Sequence, residues 1–279
     1  MDGFDYRFDK IFVLKSLGEA DTYANALYSE TIEPSCQRHG LTSQLIDIYD
    51  RGDWDKVIEQ ILQDEHRYPL IHFEMHGNEE NGLALRLGDY VPWPVVIRDL
   101  TRINIRSELN LIITMAVCYS TKLAFNMSMV KHPAPYLFSV STRLKIRGEA
   151  TYRMYSVFFK ELIETMELYS ALKAVEKTNP DLPQMFDILA VPFLFENTFR
   201  NYALEHRDDG MVEREFYHSF PEMQQQELAP EDFQCYKNTF MAMFRQGVDE
   251  CYRKFKAVFF MFDVCPQNKQ RFKLPERIM

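Results

Sequence analysis

A chain of 279 residues with 46% hydrophobic and 26% charged content can bury a sizeable core, which fits one large α/β domain or one domain with an appendage. Its net charge of −9 excludes a general nucleic-acid binder and offers no footprint for an anionic membrane surface. The opening MDGFDYRFDKIFVL lacks a basic start, an apolar run and a small-residue cleavage site, and no stretch approaches the roughly 18 apolar residues that span a bilayer, so neither a secretory signal nor a membrane segment is expected.

The first half of the chain alternates strands and helices. Lys10 to Leu17 is strand-like, and a helical stretch from Asp21 to His39 follows, stopped by Gly40 as a C-terminal cap. Leu41 to Tyr49 alternates apolar and polar residues as a strand does, and Asp53 offers an N-cap for a helix whose Trp54, Val57, Ile58, Ile61 and Leu62 share a face. Tyr68 to Met75 is a third strand, ended by His76-Gly77. After a mixed segment and a helix from Trp93 to Asn104, Leu109 to Val117 is the most apolar run in this half, with Cys118 directly at its end. Pro135 to Ile146 is a fifth strand candidate and Gly148 to Ala174 a long helix. Such alternation predicts a mostly parallel sheet with helices on both faces. Farther on, Met185 to Leu194 reads as a strand near an edge because of Pro192, and residues 205–231 read as loop. Phe233, Tyr236, Phe240, Phe244, Val248, Tyr252, Phe255, Phe259 and Phe262 recur at steps of three and four, which predicts a long amphipathic helix. The expected division is a domain over residues 1–200 and a helical C-terminal extension over residues 201–279 packed on it.

Ligands of open parallel sheets gather beyond the carboxyl ends of the strands, and both His76 and Cys118 occupy that edge. A cysteine peptidase needs a thiolate to attack the scissile carbonyl and an imidazole to protonate the leaving amine. It also needs backbone N–H groups around the oxyanion, for which Gly77 and Cys118 itself are the candidates. The bland alternative is a buried structural cysteine after an apolar strand and a histidine at an ordinary strand terminus. Cys36, Cys118, Cys235, Cys251 and Cys265 contain no CxxC, which fits a reducing cytosol and no zinc knuckle, so the expected location is the cytoplasm.

HFEMHGNEENGLAL followed by LNLIITMAVCYS resembles the core of the caspase-like cysteine peptidases, especially their CHAT branch, over roughly residues 8–200. The spacing, 118 − 76 = 42, is close to the separation of about 50 between His and Cys in caspases. The resemblance implies a caspase-like α/β fold with His76 and Cys118 as the catalytic pair and Gly77 at the oxyanion hole. MAVCYS replaces the caspase signature QACxG, so specificity for Asp does not carry over. Relatives near CHAT imply cleavage after basic residues and, in prokaryotes, a role in defence or cell death under the control of a partner protein. Glu19 and Asp21, with Ser139, Ser141 and Thr142 on the fifth strand, are candidates for a pocket that receives a basic side chain. The carboxylates would otherwise serve only to cap a helix.

Protein or peptide is thus the expected substrate, with no cofactor and no metal. HFEMH departs from HExxH in the position of its Glu, and its strand-like flank is not the helix that motif needs. On a strand His72, Glu74 and His76 share a face, which leaves a metal site as a rival, and Glu74 is also placed to orient His76. A non-catalytic version of the fold, used as an interaction module, is the second functional reading. The aromatic stripe over 233–262 needs burial, either within the chain or against a partner.

Overall fold

The computed structural model describes residues 5–123, 131–142, 148–178, 186–219 and 230–275. The chain divides into two compact units, Met1–Asn126 with Pro133–Val191, and Met127–His132 with Pro192–Met279.

The first unit is built on a sheet in which β1 (Lys10–Ser16), β2 (Thr42–Asp47), β3 (Pro69–Asn78), β6 (Ile112–Ala116), β7 (Phe138–Thr142) and β8 (Phe186–Ala190) lie in the order β2-β1-β3-β6-β7-β8. All pairs are parallel except β7–β8. β4 (Gly82–Ala84) and β5 (Tyr90–Val91) form a small antiparallel addition to the far end of β3. The expected α/β class with a mostly parallel sheet is therefore what the chain adopts.

Helices cover both faces because the strands alternate. Ile11, Val13, Leu70, Ile112 and Val140 join one core cluster with Met154, Tyr155, Phe158, Phe159 and Leu162 of α5 (Gly148–Thr165). The same cluster includes Leu27, Ile32 and Cys36 from a helical run over residues 23–39, in which α1 (Tyr23–Ala26) passes through a π-helical stretch (Leu27–Ile32) into α2 (Glu33–His39). On the opposite face Trp54 of α3 (Arg51–Gln63) stacks on Phe73 with centroids 6.3 Å apart. Its indole N–H donates to the buried Asp99 carboxylate of α4 (Trp93–Arg106) at 2.9 Å, tying the two helices together.

Several local boundaries differ from the sequence reading. Asp50, not Asp53, caps α3, accepting from the Asp53 N–H at 2.9 Å. Gly40 does end α2 in the left-handed region, at φ 70. The long helix expected to Ala174 breaks at Met166 (φ 56), giving α5 and a separate α6 (Leu168–Thr178). Beyond Ala190 the expected strand becomes α7 (Val191–Arg207), because a proline is tolerated in a first helical turn, where its missing N–H has no partner to lose. The boundary expected after residue 200 falls inside this helix. Residues 209–219, expected as loop, form α8 (Asp209–Ser219), and the rest of that expected loop up to 229 lies outside the described residues, as do residues 143–146 of the expected fifth strand.

In the second unit the aromatic stripe lies on α9 (Pro230–Phe259) and meets partners in the same unit. Phe259 stacks on Phe195 of α7 at 5.2 Å, Tyr252 meets Phe199 at 5.4 Å, and Phe240 meets Phe216 of α8 at 5.4 Å. After the helix ends, Phe260 packs on Phe272, next to the short α10 (Asn268–Arg271). The side chains of Phe233 and Tyr236 lie outside the described set. No helix among the described residues is long and apolar enough to cross a membrane.

β6 and β7 pair only as far as Thr114 opposite Val140, and there a phenol fills the opening. The Tyr155 hydroxyl accepts from the Met115 N–H at 3.1 Å and donates to the Val140 carbonyl at 3.4 Å. Burial, reinforced by the Glu74 carboxylate, holds this phenol well above its ordinary pKa, so it stays a neutral donor. Tyr155→Phe removes the partner of a buried backbone N–H and is expected to cost about 1–3 kcal/mol. Urea unfolding checks this, with a lowered midpoint at unchanged slope.

Candidate active site

The strand order β2-β1-β3-β6-β7 reverses its winding between β1 and β3, and an open parallel sheet offers its ligand crevice at the carboxyl ends beside such a reversal. Three chain segments leave the sheet there: the loop after β1 with Glu19 and Asp21, the end of β3 with His76 and Gly77, and the end of β6 with Cys118.

His76 and Cys118 are placed by strand register. β3 and β6 pair from Leu70 opposite Ile112 to Glu74 opposite Ala116, a constant offset of 116 − 74 = 42. His76 and Cys118 have the same offset, 118 − 76 = 42, two residues beyond the last pair of that ladder. The two backbones touch at that level. A Cβ built on Gly77 would lie 2.0 Å from the Cys118 carbonyl oxygen and 2.7 Å from Val117 Cγ1, so any side chain at Gly77 would push the strand ends apart. Glycine is needed here for close approach.

Local structure fixes both ends. Past Met75 the chain continues into the β4 ladder, with His76 opposite Ala84 and Gly77 opposite Leu83. The turn between them closes on Asn78, whose side-chain oxygen accepts from the Glu80 and Asn81 N–H groups, each at 2.9 Å. Gly82 follows at φ 101, and the indole N–H of Trp93 donates to the Asn78 carbonyl at 3.1 Å. At the other end, Tyr119 adopts φ 60 directly after Cys118. That left-handed residue costs on the order of 1–3 kcal/mol and turns the chain off the sheet into a short 3-10 helix (Ser120–Leu123), leaving Cys118 half-buried at the rim. Neither the Tyr119 turn nor the Asn78 clamp was legible in the sequence, since no glycine marks the first and the second depends on a side-chain hydrogen bond.

The remaining candidate residues are distributed differently from expectation. His76 is 68% exposed, and its Nε2 lies 3.7 Å from the Asp21 carboxylate. Glu19 pairs instead with Arg86 at 3.0 Å, and the Arg86 N–H is anchored on the Ser16 hydroxyl at 3.0 Å. Ser139 and Ser141 are fully buried and bond to each other at 2.6 Å, so neither faces an open pocket. The side chain of Thr142 lies outside the described set. Glu74 does not reach for His76: it accepts from His72 Nε2 at 2.9 Å, while His72 Nδ1 meets the Thr114 hydroxyl at 2.8 Å. His72 is thus saturated beneath the sheet surface and edge-on to Tyr155, while His76 stands in solvent. The two do not converge with Glu74 on a metal, and among the described residues no group of three His, Cys, Asp or Glu side chains could hold one.

The Gly77 contact yields a direct expectation. Gly77→Ala should lower stability by about 1–3 kcal/mol, the usual range for overpacking. Thermal melting measures the effect.

No family model and no curated protein matches the sequence. Among solved structures, the chain is similar to the X-ray structure of a secreted C11 cysteine protease from Bacteroides thetaiotaomicron in complex with an irreversible peptide inhibitor. The similarity is at 12% sequence identity and a TM-score of 0.42, covering 63% of this chain and 60% of that one.

Proposed function

We propose that the chain is a caspase-like cysteine endopeptidase, akin to the CHAT branch, with Cys118 as nucleophile and His76 as its acid–base partner. One observation carries this reading: the backbone of Gly77 lies against the Cys118 carbonyl, joining the His-Gly end of β3 to the Cys end of β6 at the carboxyl edge of the sheet. In the proposed reaction the Cys118 thiol gives its proton to His76 and the thiolate attacks the scissile carbonyl. The N–H groups of Gly77 and Cys118 meet the oxyanion. His76 then protonates the leaving amine, and water hydrolyses the thioester. The scheme needs no cofactor or metal, and its substrate is a protein or peptide. The resemblance extends the proposal to a cytoplasmic effector in prokaryotic defence or cell death, switched on by a partner protein.

Cys118→Ala and His76→Ala should each abolish peptide cleavage with the melting temperature unchanged, since both side chains stand at the rim of the sheet. A peptide carrying an electrophilic warhead should label Cys118 in the unaltered chain. Cys36 should stay unlabelled, because burial pushes its thiol up to about 11. At pH 8 that leaves on the order of one thiolate in a thousand. Undiminished cleavage by either variant sinks the assignment, and absence of labelling at Cys118 favours the non-catalytic interaction module. A chelator should change nothing.

A further inference from the structure

The loop leaving β1 reaches across to His76. After Ser16 the chain makes a tight turn, in which the Asp21 N–H donates to the Gly18 carbonyl at 3.1 Å and the Thr22 N–H to the Ala20 carbonyl at 3.2 Å. This turn sets the Asp21 carboxylate 3.7 Å from Nε2 of His76, beyond hydrogen-bond length but within ion-pair reach. The contact bridges the ends of β1 and β3, the pair at which the sheet reverses its winding. Glu19, two residues earlier, is engaged by Arg86 and makes no comparable approach.

Resting on the Cys118–His76 reading, we infer that Asp21 is a positioning residue for His76. Its carboxylate faces the Nε2–H edge of the ring and leaves Nδ1 to receive the Cys118 proton. In that transfer the Sγ–H bond breaks and an Nδ1–H bond forms, giving a thiolate and an imidazolium with no change in oxidation state. The carboxylate stabilises the new positive charge and biases the ring toward the tautomer that keeps a proton on Nε2, the service a third group renders to a base next to a nucleophile. The two side chains are 68% and 45% exposed, so water and salt weaken the interaction. An effect of about three- to fivefold in rate is therefore the appropriate scale. A pocket role makes a different demand: a carboxylate that binds a basic substrate side chain acts on KM, and only for basic substrates.

The test uses the purified full chain with two fluorogenic peptides, one with Arg and one with an uncharged residue before the cleaved bond. In parallel, iodoacetamide alkylation of Cys118 is followed by mass spectrometry. Asp21→Asn, isosteric and uncharged, should lower kcat about three- to fivefold on both peptides with KM unchanged, and should slow Cys118 alkylation by a similar factor. Asp21→Glu should restore part of both rates. A rise in KM confined to the Arg peptide, or unchanged kcat and alkylation in Asp21→Asn, overturns the assignment. Alkylation decides alone if neither peptide is cleaved. His76→Ala separates the two levels. If it slows alkylation while Asp21→Asn does not, only the role of Asp21 falls. If it leaves alkylation at the unaltered rate, the Cys118–His76 pair falls, and the Asp21 assignment with it.

Discussion

The parallel ladder between β3 and β6 is the constraint on which the rest of the first unit depends. Its offset of 42 is held over five successive residue pairs and decides which side chains reach the carboxyl edge together. A slip of one residue would turn every side chain of β6 to the other face, bringing Thr114 out from under His72 and putting Ile113 or Met115 in its place. Gly77 seals this register, because the Cys118 carbonyl occupies the volume that any Cβ would need.

Beneath that rim the sheet holds a polar layer within an otherwise apolar core. Thr114, His72 and Glu74 form a continuous chain of hydrogen bonds, and Tyr155 bridges the point where β6 and β7 part. Buried groups of this kind are costly when unpaired and directional when satisfied, so the layer opposes slippage that apolar packing alone would tolerate. The same layer answers a question left open by the strand pattern. His72, Glu74 and His76 share one face, yet the first two are consumed in the interior and the third stands in solvent, because β3 leaves the main sheet between Glu74 and His76 to pair with β4.

In the second unit the later part of the stripe on α9 is interior, with Val248, Tyr252 and Phe259 buried, whereas Phe240, Phe244 and Phe255 are half-buried. Aromatic rings from α7 and α8 meet it at centroid distances of 5–6 Å, the range of favourable offset and edge-on contacts. Part of the stripe's apolar surface is thus spent on the unit's own core.

By itself the sequence determined the α/β class and the five core strands near their true positions. Those features arise from local patterns: apolar runs of strand length, helical periodicity, and residues such as Gly40 that stop a helix. Only the tertiary structure decided the partners. Glu74 could as well have faced His76 as His72, and nothing in the chain marks Arg86 as the partner of Glu19, 67 residues away. Ser139 and Ser141 looked like pocket residues and are enclosed, because exposure depends on what packs over a strand and not on the strand itself. The approach of Asp21 to His76 was equally hidden. It requires β1 and β3 to be neighbours at the winding reversal, and strand order is a property of the whole sheet that no single segment encodes.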